Sequence, residues 1–406
     1  MSDFYKPITA IAEVNPSVSI SGLPDDFLIS FVGMADVSEG GRLINKHDRL
    51  LRDVKFGFTR FIEGDVLFAK ITPCMENGKG ALAKCLRNKT GFGSTEFHVL
   101  RNKQNGDACF IYQILQSPDF RLKAEARMTG SAGQKRVPSD FFDFYKTFIP
   151  TSLAEQRKIA RILSTVDAVI EKTEAAIAKY KAIKAGMMRD LFTRGIDLAT
   201  GKLRPSYEDA PELYKESELG WVPKEWEAVR IDEIAFMKSG EGITSKSIFD
   251  FARYPVYGGN GLRGFTTTYT HDGDFVLIGR QGALCGNVNR VAGKFYASEH
   301  AVVVSVFNQI AVDWLSQLLS GMNLNQYSEA SAQPGLAVSK ILSLVVKRPQ
   351  FNEQKEIAKH LLSVDLKADI ESKILRKHQH IKQALMSDLL TGKVRVKYKE
   401  EKTEAM

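Results

Sequence analysis

Four short glycine-rich stretches of this chain carry cations and amides that could read the edges of bases. Lys70, Asn77 and Lys79 fall in the run Lys70–Gly80, and Gln134, Lys135 and Arg136 in the run beginning at Gly130. Asn260 and Arg263 lie in Gly259–Gly264, and Arg280 and Gln281 open a fourth stretch. Arginine and lysine suit guanine edges or phosphates, and asparagine and glutamine suit adenine. Small neighbours let the loop backbone come close to a duplex. For any one of these residues an ordinary solvated loop is an equal alternative.

Covalent chemistry finds less support. Gly259-Asn260-Gly261-Leu262-Arg263-Gly264 fits GxGxxG, but a dinucleotide site needs that turn to open a helix. Here the strand-like run Phe265–Thr270 follows, so a turn between strands is predicted. No GxxxxGK[ST], no HExxH and no Asn-Pro-Pro-Tyr tetrapeptide occurs, and Asn15-Pro16 leads into Ser17-Val18 without a stacking aromatic. A magnesium nuclease needs clustered carboxylates with a lysine. Pro118-Asp119 and Glu371-Ser372-Lys373 are the nearest match and lie far apart in the chain. His98 and His300 are single histidines beside acids and are expected to be satisfied structural residues. Cys74, Cys85, Cys109 and Cys285 form no CxxC, which argues for reduced thiols in a cytoplasmic protein and against zinc. No catalytic residue and no metal ligand is assigned.

The elements that position these loops announce themselves by repetition. Glu155–Thr193 returns as Glu353–Thr391 without a gap, and 14 of the 39 positions are identical. Among them are Glu155/Glu353, Gln156/Gln354, Asp167/Asp365, Lys184/Lys382 and Asp190/Asp388. So long a period is not that of a solenoid; it implies two halves, each a globular unit followed by a helix. Ile159, Leu163, Val166, Ile170, Ile177, Tyr180, Met187 and Leu191 follow a heptad seam interrupted at Thr173 and Lys184. Ile357, Leu361, Val364, Ala368, Leu375, Leu385 and Leu389 repeat it. Each helix would be about 58 Å long and needs a partner for its apolar seam. Pairing with each other, antiparallel, is the expected solution. A proline (Pro150, Pro349) precedes each helix, and Gly195 and Gly392 are placed to end them.

The chain therefore divides into a first globular domain (1–150), a helix (151–195), an acidic proline-bearing connector (196–225), a second domain (226–349) and a second helix with a charged, frayed tail (350–406). The domains read as strand-rich. Gly64–Lys70 resembles Gly273–Arg280, each followed by a glycine-rich stretch and then by Ser94–His98 or Ser298–His300. A small-residue loop, from Gly130 or Ala330, comes near each domain's end. The globular halves have diverged more than the helices, which suggests two binding specificities on one frame. The identical helix positions, Gln156, Asp167, Lys184, Asp190 and their partners Gln354, Asp365, Lys382, Asp388, are then expected to form two equivalent docking faces.

The 406 residues suffice for two cores, and the net charge of +8 favours an acidic partner, most simply nucleic acid. No apolar run is long enough to span a membrane, and Met1–Ala10 has no apolar leader core.

Taken in order, these marks resemble the specificity (S) subunit of type I restriction–modification systems along the whole chain. The phrases that carry the resemblance, beside the paired Glu-Gln helices, are Gly220–Trp226, Tyr254–Gly261 and Lys70–Gly80. The first half lacks a Gly-Trp-Val-Pro phrase of its own. The resemblance implies an α+β fold: two strand-rich target recognition domains in pseudo-twofold arrangement, separated by two long antiparallel coiled-coil helices. It implies a non-catalytic subunit that reads a bipartite, asymmetric site on double-stranded DNA, its helices acting as a ruler. Half-sites about one turn (10–10.5 bp) apart would suit it. Two methyltransferase (M) and two restriction (R) subunits are the implied partners. S-adenosylmethionine, ATP and Mg²⁺ would belong to them, with no cofactor on this chain.

Overall fold

A computed structural model describes residues 4–398 apart from 132, 283 and 329–334. The chain forms two compact units: residues 1–174 with 373–406, and residues 175–372. The division falls inside both long helices, Leu153–Leu191 and Phe351–Leu389, each of 39 residues. Each unit thus holds the beginning of one helix and the end of the other.

The first unit has two four-stranded sheets. One runs in the order Ala12–Val14, Phe97–Asn102, Val66–Ala69, Gly80–Leu82, all antiparallel. Val66–Ala69 is buried at every residue. Val66 and Phe68 enter the core under the helices, while Leu67 and Ala69 enter a second cluster with Phe61 and Phe97. That two-sided burial explains why the strand reads as an unbroken apolar run. The other sheet runs His47–Leu50, Leu28–Val32, Thr90–Gly93, Thr59–Ile62, with one parallel pair at its centre. Helices Ala108–Gln116 and Pro118–Ala126 cover the main core. Asp107 caps the first by accepting from Phe110 N; Ser117 caps the second, with Pro118 in its first turn.

The second unit is built on one six-stranded sheet, ordered Ala235–Ser239, Ala301–Val306, His271–Gly279, Val288–Ala297, Tyr254–Gly258, Gly261–Thr266. Its core joins Val276, Ile278, Val302 and Val304 to Trp226 and Trp314. The GxGxxG run is the turn of a hairpin, with Gly258 paired to Gly261. The connector carries two hairpins, Ile196–Asp197 with Lys202–Leu203 and Tyr214–Ser217 with Gly220–Pro223.

Within each unit the two helix segments run antiparallel. In the first, Ile159 and Leu163 share a core with Met386, Leu389 and Leu390, and Asp167 pairs with Lys382 at 2.6 Å. In the second, Leu191 shares a core with Ile357, Ala358 and Leu361, and Lys184 pairs with Asp365 at 2.7 Å. The seam is fully buried only where a domain lies against it. Thr173, its interruption, is also buried, and its hydroxyl is satisfied there by donating to Val169 O at 2.9 Å.

Both helices begin with a buried carboxylate. Glu353 accepts from Ile196 N at 2.8 Å, from Trp226 Nε1 at 3.0 Å and from the Arg204 guanidinium. Glu155 accepts two bonds of 2.6 Å from Arg395. The charged tail is therefore not loose at its start: Arg395 is fixed, its guanidinium also lying over the rings of Phe4 and Phe148. Residues 399–406 lie outside the described part.

Candidate nucleic-acid interface

In the first unit two of the glycine-rich stretches meet. Ile71 bridges Arg136, Thr72 N donates to Lys135 O at 3.0 Å, and Val137 N donates to Lys70 O at 2.9 Å. Lys70, Gln134, Lys135 and Arg136 thus share one edge, beyond the strand Val66–Ala69. Gln134 and Lys135 are exposed. Arg136 is engaged with Glu96 through bonds of 2.8 and 3.0 Å, and this partnership holds the Glu96 carboxyl below the ordinary range.

Asn77 and Lys79 face another way. Asn77 Nδ2 donates to Glu39 Oε1 at 3.0 Å, and Lys79 Nζ to Met34 O at 2.9 Å. Both fasten their loop to residues 34–39 instead of standing free. Arg121 shapes that loop from within: its guanidinium donates to Leu115 O, Met75 O and Gly78 O at 2.7, 2.9 and 3.2 Å and lies 4.7 Å from the Phe68 ring centre. Burial pushes its pKa down to about 10. Nothing in the sequence around Arg121 signals this role, because the loop carbonyls it holds, Met75 O and Gly78 O, lie 46 and 43 residues away.

In the second unit Arg280 N donates to His300 O and Leu336 N to Arg280 O, both at 2.9 Å. The Arg280 side chain reaches Ser239 Oγ at 3.1 Å, and Gln281 Oε1 lies 3.1 Å from His300 Nδ1. A Cβ on Gly259 would come within 3.1 Å of His300 O, so the hairpin turn sits directly against this edge. Asn260, Arg280 and Gln281 are brought together and exposed; Arg263, also exposed, stands on the next strand. The small-residue loop from Ala330 falls largely on 329–334, outside the described residues.

His98 is structural, whereas His300 is part-exposed beside Glu299. Buried His98 donates from Nε2 to Val137 O at 2.8 Å and accepts at Nδ1 from Asn15, 3.1 Å away. Burial lowers its pKa, so the neutral ring is the folded form. No group of three or more potential metal ligands occurs among the described residues.

Gln156 and Gln354 turn inward, which corrects the expectation of docking faces for the glutamines. Gln156 is fully buried; it accepts from Asp107 N at 2.9 Å and donates to Asn105 O and Pro150 O. Buried Gln354 accepts from Ala311 N at 2.8 Å and donates to Pro349 O. Neither offers surface to a partner; each ties its domain to the helix start. Asp167 accepts from Gln113 as well as Lys382, and Asp365 from Gln317 as well as Lys184. These four helix residues are part-exposed, so each ion pair adds up to about 1 kcal/mol. Asp190 and Asp388 are half-exposed and pair with Arg194 and Lys393 just past each helix end.

Comparison with known proteins converges on one family. The family described as "Type I restriction modification DNA specificity domain" matches residues 53–180 and 223–378. The type I restriction enzyme EcoprrI specificity subunit of Escherichia coli is 32% identical over 342 residues, covering 81% of this chain and 78% of that protein. The MjaVIII specificity subunit of Methanocaldococcus jannaschii is 26% identical over 79% of this chain and 78% of its own length. The crystal structure of an S subunit from M. genitalium shares the fold with a TM-score of 0.63 at 18% identity, covering 95% of both chains. With two matched segments, one in each half, and a relative of this identity and coverage, the chain belongs to the family of type I restriction–modification specificity subunits.

Proposed function

We propose that this chain reads a bipartite, asymmetric site on double-stranded DNA and carries M and R subunits to it. The observation that supports this reading most directly is the duplication itself. Each unit has its own sheet, its own cluster of loops at the strand ends and the same fastening to the helix pair, while the loop residues differ. Lys70, Gln134, Lys135 and Arg136 stand on one edge and Asn260, Arg280 and Gln281 on the other. Two readers with different residues would recognise two different half-sites. S-adenosylmethionine, ATP and Mg²⁺ would act on the M and R subunits, and the assembled complex would work on cytoplasmic DNA. Part-exposed flanks of the long helices remain the candidate surface for M subunits, with Asp190 and Asp388 at their ends.

The test is selection of duplexes from a randomised library by the chain together with its M subunits. The expected product is two fixed half-sites separated by an unspecified gap, bound less tightly as salt rises. A library that yields no common sequence would remove the recognition role.

The helices would set the gap. One heptad inserted in phase into both, at residues 174 and 372, adds about 10 Å, which is roughly three base-pair steps of 3.4 Å. The selected gap is expected to lengthen by that amount with both half-sites unchanged. Altered half-sites with an unaltered gap would refute the ruler.

A further inference from the structure

The two most exposed large apolar side chains among the described residues are Phe251 and Phe56, 92% and 81% accessible. One lies in each unit. Neither is on a loose loop. Beside Phe56, Arg60 donates to Lys55 O at 3.0 Å and to Val18 O, and Phe58 packs edge-on against Phe31 with ring centres 4.9 Å apart. The Arg49 guanidinium lies 4.4 Å from the centre of that Phe31 ring. Beside Phe251, Phe249 exchanges two backbone bonds of 2.8 Å with Phe265. Arg253 lies over Tyr254, Tyr254 packs against Tyr269 at 5.0 Å, and Lys294 lies 4.7 Å over Tyr269. Each exposed ring thus stands on a braced loop, next to aromatic rings already covered by cations.

The surroundings indicate what meets these rings. Residues 46–60 hold Lys46, Arg49, Arg52, Lys55 and Arg60 against Asp48 and Asp53, with Lys55 also paired to Asp25 at 3.1 Å, and residues 246–263 hold Lys246, Arg253 and Arg263 against Asp250. An apolar protein surface would have to desolvate those cations without neutralising them. A nucleic acid supplies what both features need: phosphates for the cations and π-faces of bases for the rings. A phenyl ring held out on a rigid loop loses little conformational entropy when it stacks. Of the glycine-loop residues discussed above only Arg263 is among these cations, so the contact made by the two rings would be additional to theirs.

We propose that Phe56 and Phe251 are wedges, each inserting into the base stack of the half-site its own unit reads, with Arg49 and Arg253 steadying the adjacent rings. The proposal rests on the DNA-recognition reading. Its test uses the full chain with its M subunits and the duplex selected by the wild-type complex, with 2-aminopurine placed at successive positions of each half-site. Unstacking at one step in each half-site is expected as a rise in fluorescence. Phe56→Ala should abolish the rise in one half-site only and Phe251→Ala in the other. Each should weaken binding roughly five- to hundredfold with the salt slope unchanged, since no phosphate contact is lost. Phe→Trp at either place should preserve both signals, and melting temperatures equal to wild type would exclude unfolding. Alanine variants with wild-type affinity and fluorescence would overturn the wedge and leave the recognition role intact. Normal duplex binding with loss of M subunits would also overturn it, in favour of a protein contact. A wild-type complex that selects no duplex would overturn both readings.

Discussion

Glu353→Ala is expected to destabilise the second unit by about 3–5 kcal/mol, the usual loss when one partner of a buried ion pair is removed. The side chain of Glu353 is 2% accessible and that of Arg204 11%, so the guanidinium would be left enclosed without its carboxylate. The same substitution orphans Trp226 Nε1 and Ile196 N, adding unsatisfied buried donors. Glu353→Gln keeps an acceptor for one of those two donors, which bond opposite oxygens, and should lose somewhat less. Gly195→Ala should reproduce much of the defect from the other side. Gly195 has φ +68°, and a Cβ there would overlap the Glu353 carboxylate, the Trp226 ring and the Arg204 guanidinium. Because these residues share one network, the double variant Gly195→Ala/Glu353→Ala should lose less than the sum of its parts. All three tryptophans, Trp221, Trp226 and Trp314, lie in the second unit, so urea unfolding followed by tryptophan fluorescence reports on it directly. A midpoint within error of wild type for Glu353→Ala would show that the pair does not fasten this unit.

The corresponding change in the first unit, Arg395→Ala, is expected to cost about 2 kcal/mol, between the losses usual for exposed and for buried pairs. It is the smaller loss because the Arg395 side chain is 47% accessible while that of Glu155 is 1%, so solvent screens part of the pair. The expected consequence is local. Arg395 lies over Phe4 and Phe148, flanking the strand pair Tyr5–Pro7 with Lys146–Phe148. Backbone amides there and at the start of the first long helix should exchange faster with solvent. Arg395→Lys should fall between the two, because an ammonium cannot make the paired bonds of a guanidinium. Protection in Arg395→Ala equal to wild type would show that the tail is only passively adsorbed.

The long helices, the duplication and the hairpin at Gly258–Gly261 were legible in the sequence because each rests on local periodicity or on glycine's backbone freedom. The purpose of the identical residues was not. Gln156, Gln354, Asp167 and Asp365 look like surface polar residues on a helix, yet their partners are Asp107 N, Ala311 N, Gln113 and Gln317, 43 to 54 residues away. Helical spacing says which residues share a face, and cannot say that a domain lies on it. The same limit applies to Lys79 and Asn77, whose side chains close a loop, and to Arg121, which holds that loop's carbonyls. The exposed Phe56 and Phe251 were illegible for the opposite reason: an aromatic among β-type residues reads as core, and only the fold shows it left outside.

The fastening of each domain to the helix pair uses Gln113, Asn105, Asp107 and Pro150 in one unit and Gln317, Ala311 and Pro349 in the other. None of these residues comes from the glycine-rich loops or the exposed aromatic loops. Mutations that rewrite what is read therefore leave the joint untouched, and mutations in the joint leave the text untouched. Such a molecule can acquire a new vocabulary by drift in its loops without passing through a misassembled intermediate.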